Sequence, residues 1–137
     1  MKKIILTRPN YKTHLITPPL GLGSLSSYLE SKGYSTEIID GLNLTLSNED
    51  IVRRCSGADI IGISCMSAYF PEVVDLTRKL KDKGFTVVIG GPHATALPEL
   101  TLEETGADYV IAGEVEVAFA ELLDKGETSD SLSGVIK

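Results

Sequence analysis

The sequence predicts an α/β domain of flavodoxin-like (Rossmann-like) type, three layers deep, with a five-stranded parallel sheet in the order 2-1-3-4-5. Three observations predict it. Short apolar runs of strand length alternate with amphipathic helical stretches, the pattern of βα units. The third run, Ile60–Ser64, is nearly all apolar, as a strand covered on both faces must be. Right-handed crossovers between successive parallel strands then leave few other arrangements. The 137 residues, 42% apolar and 23% charged, suffice for one core without disulfides or a metal.

The elements follow in order. Ile4, Ile5 and Leu6 make the first strand, about 3–7, and Arg8 and Pro9 end the apolar run too early for a signal segment. A long Pro-containing loop leads to a helix over about 20–32, closed by Gly33, with Leu22, Leu25 and Leu29, joined by Tyr28, as its core stripe. Ser35–Asp40 alternates as an edge strand should. Ser47 or Asn48 caps a short helix to Cys55. After Ile60–Ser64, Pro71 opens a helix to Lys83 with Val73, Val74, Leu76 and Leu80 inward and Gly84 at its end. Thr86–Ile89 is the fourth strand, Leu97–Thr105 a short helix, Tyr109–Ala112 the fifth strand and Val115–Lys125 the last helix. The expected domain covers 1–125. Residues 126–137 read as a linker and, from Leu132 to Ile136, as the start of a further element.

Composition narrows the function. Nineteen acidic against thirteen basic residues give a net charge of −6, which excludes a general nucleic-acid footprint. The basic cluster Arg78, Lys79, Lys81 and Lys83 lies late in a helix, where cations suit the macrodipole. No apolar run approaches the ~18 residues of a membrane span. Cys55 and Cys65 belong to no metal or redox motif and fit a reducing, cytoplasmic setting. His14 and His93 sit in no metal-spaced cluster and read as solvent-facing loop residues, so no metal ligand is assigned.

In such a sheet ligands bind at the carboxyl ends of the strands, where four loops converge. The first, from Arg8 to Leu20, is too long for an ordinary βα turn. Gly21 and Gly23 follow it without the third glycine of a dinucleotide fingerprint, and a G-K-S/T phosphate loop is absent. The second, with Ser64, Met66 and Ser67, leads into a helix, so its hydroxyls either cap that helix or meet a polar ligand group. In the third, Gly90 and Gly91 permit close approach of a ring or chain. The fourth sets Glu114 and Glu116 at a helix start, as dipole partners or as ligand contacts. A phosphoryl-accepting receiver would need an acidic pair after the first strand, an Asp ending the third and a Lys after the fifth, and none is present. Nucleophile, base and orienting group do not occur together, so no catalytic residue is assigned and the chain reads as a binding module.

Four segments carry a family resemblance: PPLGLGSL (18–25), ADIIGIS (58–64), GGPHAT (90–95) and ADYVIAGEVE (107–116). They resemble the N-terminal cobalamin-binding domain of cobalamin-dependent radical SAM enzymes, a group that includes methyltransferases and the anaerobic magnesium-protoporphyrin IX monomethyl ester cyclase type. The resemblance implies cobalamin across the carboxyl edge of the sheet, its dimethylbenzimidazole tail detached from cobalt and inserted between sheet and helices. It implies that Ser64, Met66, Ser67, Gly90 and Gly91 line the tail channel and that His93 also contacts the cofactor. Gly113 and Glu114 would close the far side, and the loop carrying Pro19, Leu20 and Gly21 would lie against the corrin. Related domains with a cobalt-ligating His carry D-x-H-x-x-G after the first strand. Here the loop keeps His14 without the Asp or Gly, so His14 is not expected to bind cobalt. The usual G-E-G-E appears as Gly113-Glu114-Val115-Glu116.

A radical SAM domain needs C-x-x-x-C-x-x-C for its cluster, and two cysteines cannot supply it. S-adenosylmethionine and a 4Fe-4S cluster are therefore expected in a linked radical SAM domain outside this chain, which alone would bind and not turn over. The alternative is a flavodoxin-like nucleotide-binding or interaction module without a corrinoid.

Overall fold

A computed structural model describes residues 2–126 and 134–137 of the protein. Its order is β1 (Lys3–Arg8), α1 (Leu20–Ser31), β2 (Ser35–Asp40), α2 (Asn48–Arg54), β3 (Ile60–Ser64), α3 (Phe70–Asp82), β4 (Thr86–Gly90), α4 (Pro92–Ala96), α5 (Pro98–Thr105), β5 (Tyr109–Ile111), α6 (Val115–Lys125) and β6 (Val135–Ile136). A single 3-10 turn, Ser67–Tyr69, precedes α3. The sheet runs β2-β1-β3-β4-β5-β6, the expected order with one strand added. β6 pairs antiparallel with β5 through Val110 with Ile136 and Ile111 with Val135. Five expected strands are thus corrected to six among the described residues. Most of the expected linker, 127–133, lies outside the described residues.

Strand alternation sorts the core into two layers. Ile5, Ile61, Ile63, Val87, Ile89 and Val110 face Ile51 of α2 and Val73, Leu76 and Leu80 of α3. Ile4, Leu6, Ile60, Val88, Tyr109 and Ile111 face Leu22, Leu25 and Leu29 of α1 and Phe119, Leu122 and Leu123 of α6. The α1 stripe follows the sequence pattern. On α3 the fourth inward position is Thr77, fully buried, whereas Val74 is only half-buried. Helical spacing sets Thr77 beside Val73 and Leu80 and turns Val74 away from them, and the hydroxyl of Thr77 misled the apolar count.

The basic cluster works as structure. Lys81 Nζ reaches Asp108 at 2.8 Å and the Phe85 carbonyl at 2.9 Å, and Arg78 donates to the Glu104 carbonyl at 3.0 Å. Asp108 also accepts from the Val87 N–H at 2.8 Å, fixing the amino end of β4. Ser47 caps α2 by accepting from the Asp50 N–H at 3.1 Å.

Gly62 is packed closely by side chains from two elements. A Cβ there would stand 2.9 Å from Leu6 Cδ2 and 3.0 Å from Phe119 Cε2. Gly62→Val is expected to lower unfolding free energy by about 1–3 kcal/mol through overpacking. Urea denaturation checks this, and a midpoint at or above the parent's would contradict the packing described.

Candidate functional site

The α1/α6 face of the sheet thins toward its carboxyl edge. Along β3 the residues on this face are Ile60, Gly62 and Ser64, and along β4 they are Thr86, Val88 and Gly90. Register sets Gly62 beside Val88 and Ser64 beside Gly90. Side chains therefore shrink or vanish just where α1 and α6 begin. A cavity of about 230 Å³ opens there, lined among others by Gly21, Leu22, Leu25, Gly62, Ser64, Val88, Gly90, Gly113, Glu114, Val115 and Phe119. Leu6 and Phe119 close in on Gly62 at its floor. Nearer the mouth Val115 leans over Gly90, whose Cβ would stand 2.9 Å from Val115 Cγ2. Ser24 on α1 donates to Glu116 Oε1 on α6 at 3.4 Å, joining the two helices beside the mouth.

The loops around this edge are tied together by hydrogen bonds. The Cys65 N–H donates to the Gly90 carbonyl at 2.7 Å and the His93 N–H to the Cys65 carbonyl at 3.1 Å. Gly91 lies between them with φ of 112°, and a Cβ would fall 2.7 Å from the Cys65 carbonyl oxygen. Only glycine combines that torsion with so close a backbone. The second glycine of the pair thus answers first to the neighbouring loop, while Gly90 faces the cavity. Thr95 Oγ1 accepts from the Gly113 N–H at 3.0 Å, linking the β4 and β5 ends.

The long β1–α1 loop is held from below. Arg8 and Asp40 stand opposite each other at the ends of β1 and β2, joined by two hydrogen bonds of 2.7 and 2.9 Å. Arg8 Nη2 also donates to the Thr17 carbonyl at 2.6 Å. Burial opposes the Asp40 charge. The Arg8 hydrogen bonds, the Asn43 and Leu42 N–H groups and the Arg8 charge outweigh burial, leaving this carboxyl below its ordinary range.

Most of the sequence-predicted residues meet here. Gly21, Ser64, Gly90, Gly91, Gly113 and Glu114 line the cavity. Pro19 precedes α1 and Leu20 opens it. Met66 is exposed, and Ser67 and His93 form a pair of their own, Oγ to Nδ1 at 2.8 Å. His93 is the correction: it is 9% exposed, stacked on Phe70 at 4.2 Å between ring centroids. Its Nε2 is buried without a hydrogen-bond partner. His14 is exposed, as expected. Leu22, Leu25, Gly62, Val88, Val115 and Phe119 are cavity residues that the sequence reading took for core or passed over. The signal available was Gly62, a glycine inside an otherwise apolar strand.

Among the described residues no group of three or more His, Cys, Asp or Glu could hold a metal ion. Burial pushes both Cys55 and Cys65 thiols up to about 12, which leaves them protonated and unreactive near neutrality. No helix among the described residues is long and apolar enough to cross a membrane.

Comparison with known proteins decides the family. Residues 10–123 match the profile of the B12 binding domain. The chain belongs to the B12-binding domain family. It is 35% identical over 125 residues to an uncharacterised methyltransferase of Pyrococcus horikoshii, covering 87% of this chain and 27% of that protein. It is 29% identical over 164 residues to the cytidylyl-2-hydroxyethylphosphonate methyltransferase of Streptomyces wedmorensis, covering 98% and 31%. It thus spans less than a third of these relatives' length. Its fold matches the radical S-adenosylmethionine methyltransferase TsrM of Kitasatospora setae, solved with cobalamin and a [4Fe-4S] cluster, at a TM-score of 0.87 and 19% identity, over 100% of this chain and 27% of that one.

Membership of this family sets aside the reading without a corrinoid, and the B12-binding domain can be judged on its own residues. The cavity is below the ~300–1,000 Å³ of pockets that enclose a whole drug-sized ligand. It suits one flat ring system, with the rest of a large cofactor left at the edge. Gly90, with Val115 lying over it, and Ser64 line the cavity at the carboxyl edge. The residues present fit the cofactor.

The Arg8–Asp40 pair gives this site a pH dependence. Because the folded carboxyl titrates below its unfolded value, its contribution is complete above about pH 4 and is lost as pH falls through the folded value. Asp40→Asn is expected to be less stable than the parent at pH 7, with the gap closing as pH falls below the ordinary aspartate range. Denaturation at pH 7 and pH 3 tests this, and a gap unchanged by acid would contradict the pairing.

Proposed function

We propose that this domain holds cobalamin with its nucleotide tail detached from cobalt and its terminal ring in the cavity between the sheet and helices α1 and α6. It does so for methyl transfer or radical chemistry in a linked radical SAM domain. When bound, cobalamin supplies a cobalt centre that can take up and pass on a methyl group. The chain's own work is binding and orientation. Gly90 lets Val115 settle against β4 without narrowing the entrance further, and Ser64 offers the ring a hydroxyl. Gly113 and Glu114 close one side of the entrance. Pro19, Leu20 and Gly21 border the other, at the uncapped start of α1. Met66 presents an exposed apolar side chain at the same edge. The Ser67–His93 pair steadies the two loops between them.

The observation that carries this reading is the cavity itself, formed on the face of the sheet where Gly62 and Ser64 of β3 lie beside Val88 and Gly90 of β4. Its apolar walls and the N-terminal turns of α1 and α6 at its mouth suit a flat ring trailed by a ribose phosphate. His14 is not assigned to cobalt. Among the described residues no nucleophile, base and orienting group stand together, so the domain's own part is binding. Residues 126–137 would lead toward the further part of the protein. S-adenosylmethionine and a 4Fe-4S cluster belong to that part, because two cysteines cannot hold such a cluster. Two buried free thiols suit a reducing compartment such as the cytoplasm.

Titration with hydroxocobalamin is expected to shift the visible spectrum, and the corrinoid is expected to remain with the protein through gel filtration. Neither change, in protein shown to be folded, would overturn the reading. Gly90→Leu fills the entrance and is expected to weaken binding at least tenfold while the thermal transition survives. Unchanged affinity would place the ring elsewhere.

A further inference from the structure

We infer that the cavity selects among corrinoids by the base on their nucleotide tail, taking an apolar benzimidazole-type ring and discriminating against a purine. This rests on the cavity being the tail site. The apolar side chains that wall it are Leu22, Leu25, Val88, Val115 and Phe119. None carries a hydrogen-bonding atom. The strand backbone between them is engaged in the β3–β4 ladder, and the Gly90 carbonyl already accepts from the Cys65 N–H at 2.7 Å. The polar side chains of the lining, Ser64, Glu114 and Glu116, belong to the carboxyl edge, where Glu116 is engaged by Ser24 at 3.4 Å.

The two base classes differ at the end that goes deepest. Either base is joined to ribose through its five-membered ring, so the six-membered ring leads into the cavity. In dimethylbenzimidazole that end is hydrocarbon with two methyl groups. In adenine it carries an exocyclic amine and two ring nitrogens. Against walls of Leu, Val and Phe these groups lose water and gain no partner, and a buried unpaired polar group weakens binding about tenfold or more. The missing side chain at Gly62 and the ring of Phe119 set the depth. Val115 over Gly90 sets the width, so the purine has little room to tilt its amine back toward Ser64 or the carboxylates.

The test compares three hydroxo-corrinoids on the native chain by visible absorbance: cobalamin, its analogue bearing adenine in place of dimethylbenzimidazole, and cobinamide, which has no base. Affinities are corrected for each free corrinoid's own equilibrium between attached and detached base. Cobalamin is expected to bind at least tenfold more tightly than either of the others. Equal affinity for cobalamin and the adenine analogue, with cobinamide weaker, would overturn the selection and leave the tail site standing. Equal affinity for all three would remove the ring from the cavity and overturn both. No binding of any corrinoid would overturn the functional reading and this inference with it. Val88→Thr keeps the wall's shape and adds a hydroxyl, and is expected to narrow the preference for cobalamin at least threefold. An unchanged ratio in folded variant would contradict the role given to these walls.

Discussion

The structure turns on three successive positions from which side chains are missing or small. Gly62, Ser64 and Gly90 share one face of neighbouring strands, and the sheet there presents little side-chain bulk beneath α1 and α6, a space that Leu6, Phe119 and Val115 fill only in part. An enclosed void of the same volume would cost about 5 kcal/mol at the usual price per unit of cavity. This one opens at the carboxyl edge, so water relieves part of that cost and a ring can displace the water. Leu6 and Phe119 crowd against Gly62 and keep the floor from collapsing further. The same residues that weaken the core on this face thus create a place for a ligand.

The opposite face shows why the site can stay open without loosening the fold. There the sheet is packed against α2 and α3 by fully buried side chains from Ile5, Ile61, Val73, Leu76 and Leu80. That layer also fixes the loops of the ligand edge. Gly91 lets the Cys65 backbone approach, His93 binds Ser67 and stacks on Phe70, and Arg8 reaches both Asp40 and Thr17. Contacts held in this way are preorganised, so ordering the loops on binding costs little. The exposed loop residues, Leu15, Ile16 and Met66 among them, ride on that rigid base.

Much of this could be read from the residues alone, because the signals were local. Apolar runs placed the strands, and glycines and prolines marked their ends. The parallel βα pattern then directed attention to one edge. What escaped was either very short or set by tertiary contact. β6 is two residues long and gains its meaning only beside β5. Pro92 opens α4, but the stretch after β4 reads from the sequence as a loop, and that reading also turned His93 outward. Leu22, Leu25 and Phe119 look like any core stripe, since nothing in one helix tells that the strand opposite has lost its side chains. Gly62 was visible, and its register against Val88 was not.

The most direct measurement of the central claim is an amide map of the protein with and without hydroxocobalamin, by NMR chemical shift or hydrogen exchange. The account predicts changes concentrated at Gly21–Leu25, Gly62–Ser64, Gly90–Gly91 and Gly113–Phe119, with α2 and the body of α3 unaffected. Changes confined to the α2/α3 face, or spread along the exposed loops while the amides around Gly62 and Gly90 stay as they were, would contradict it.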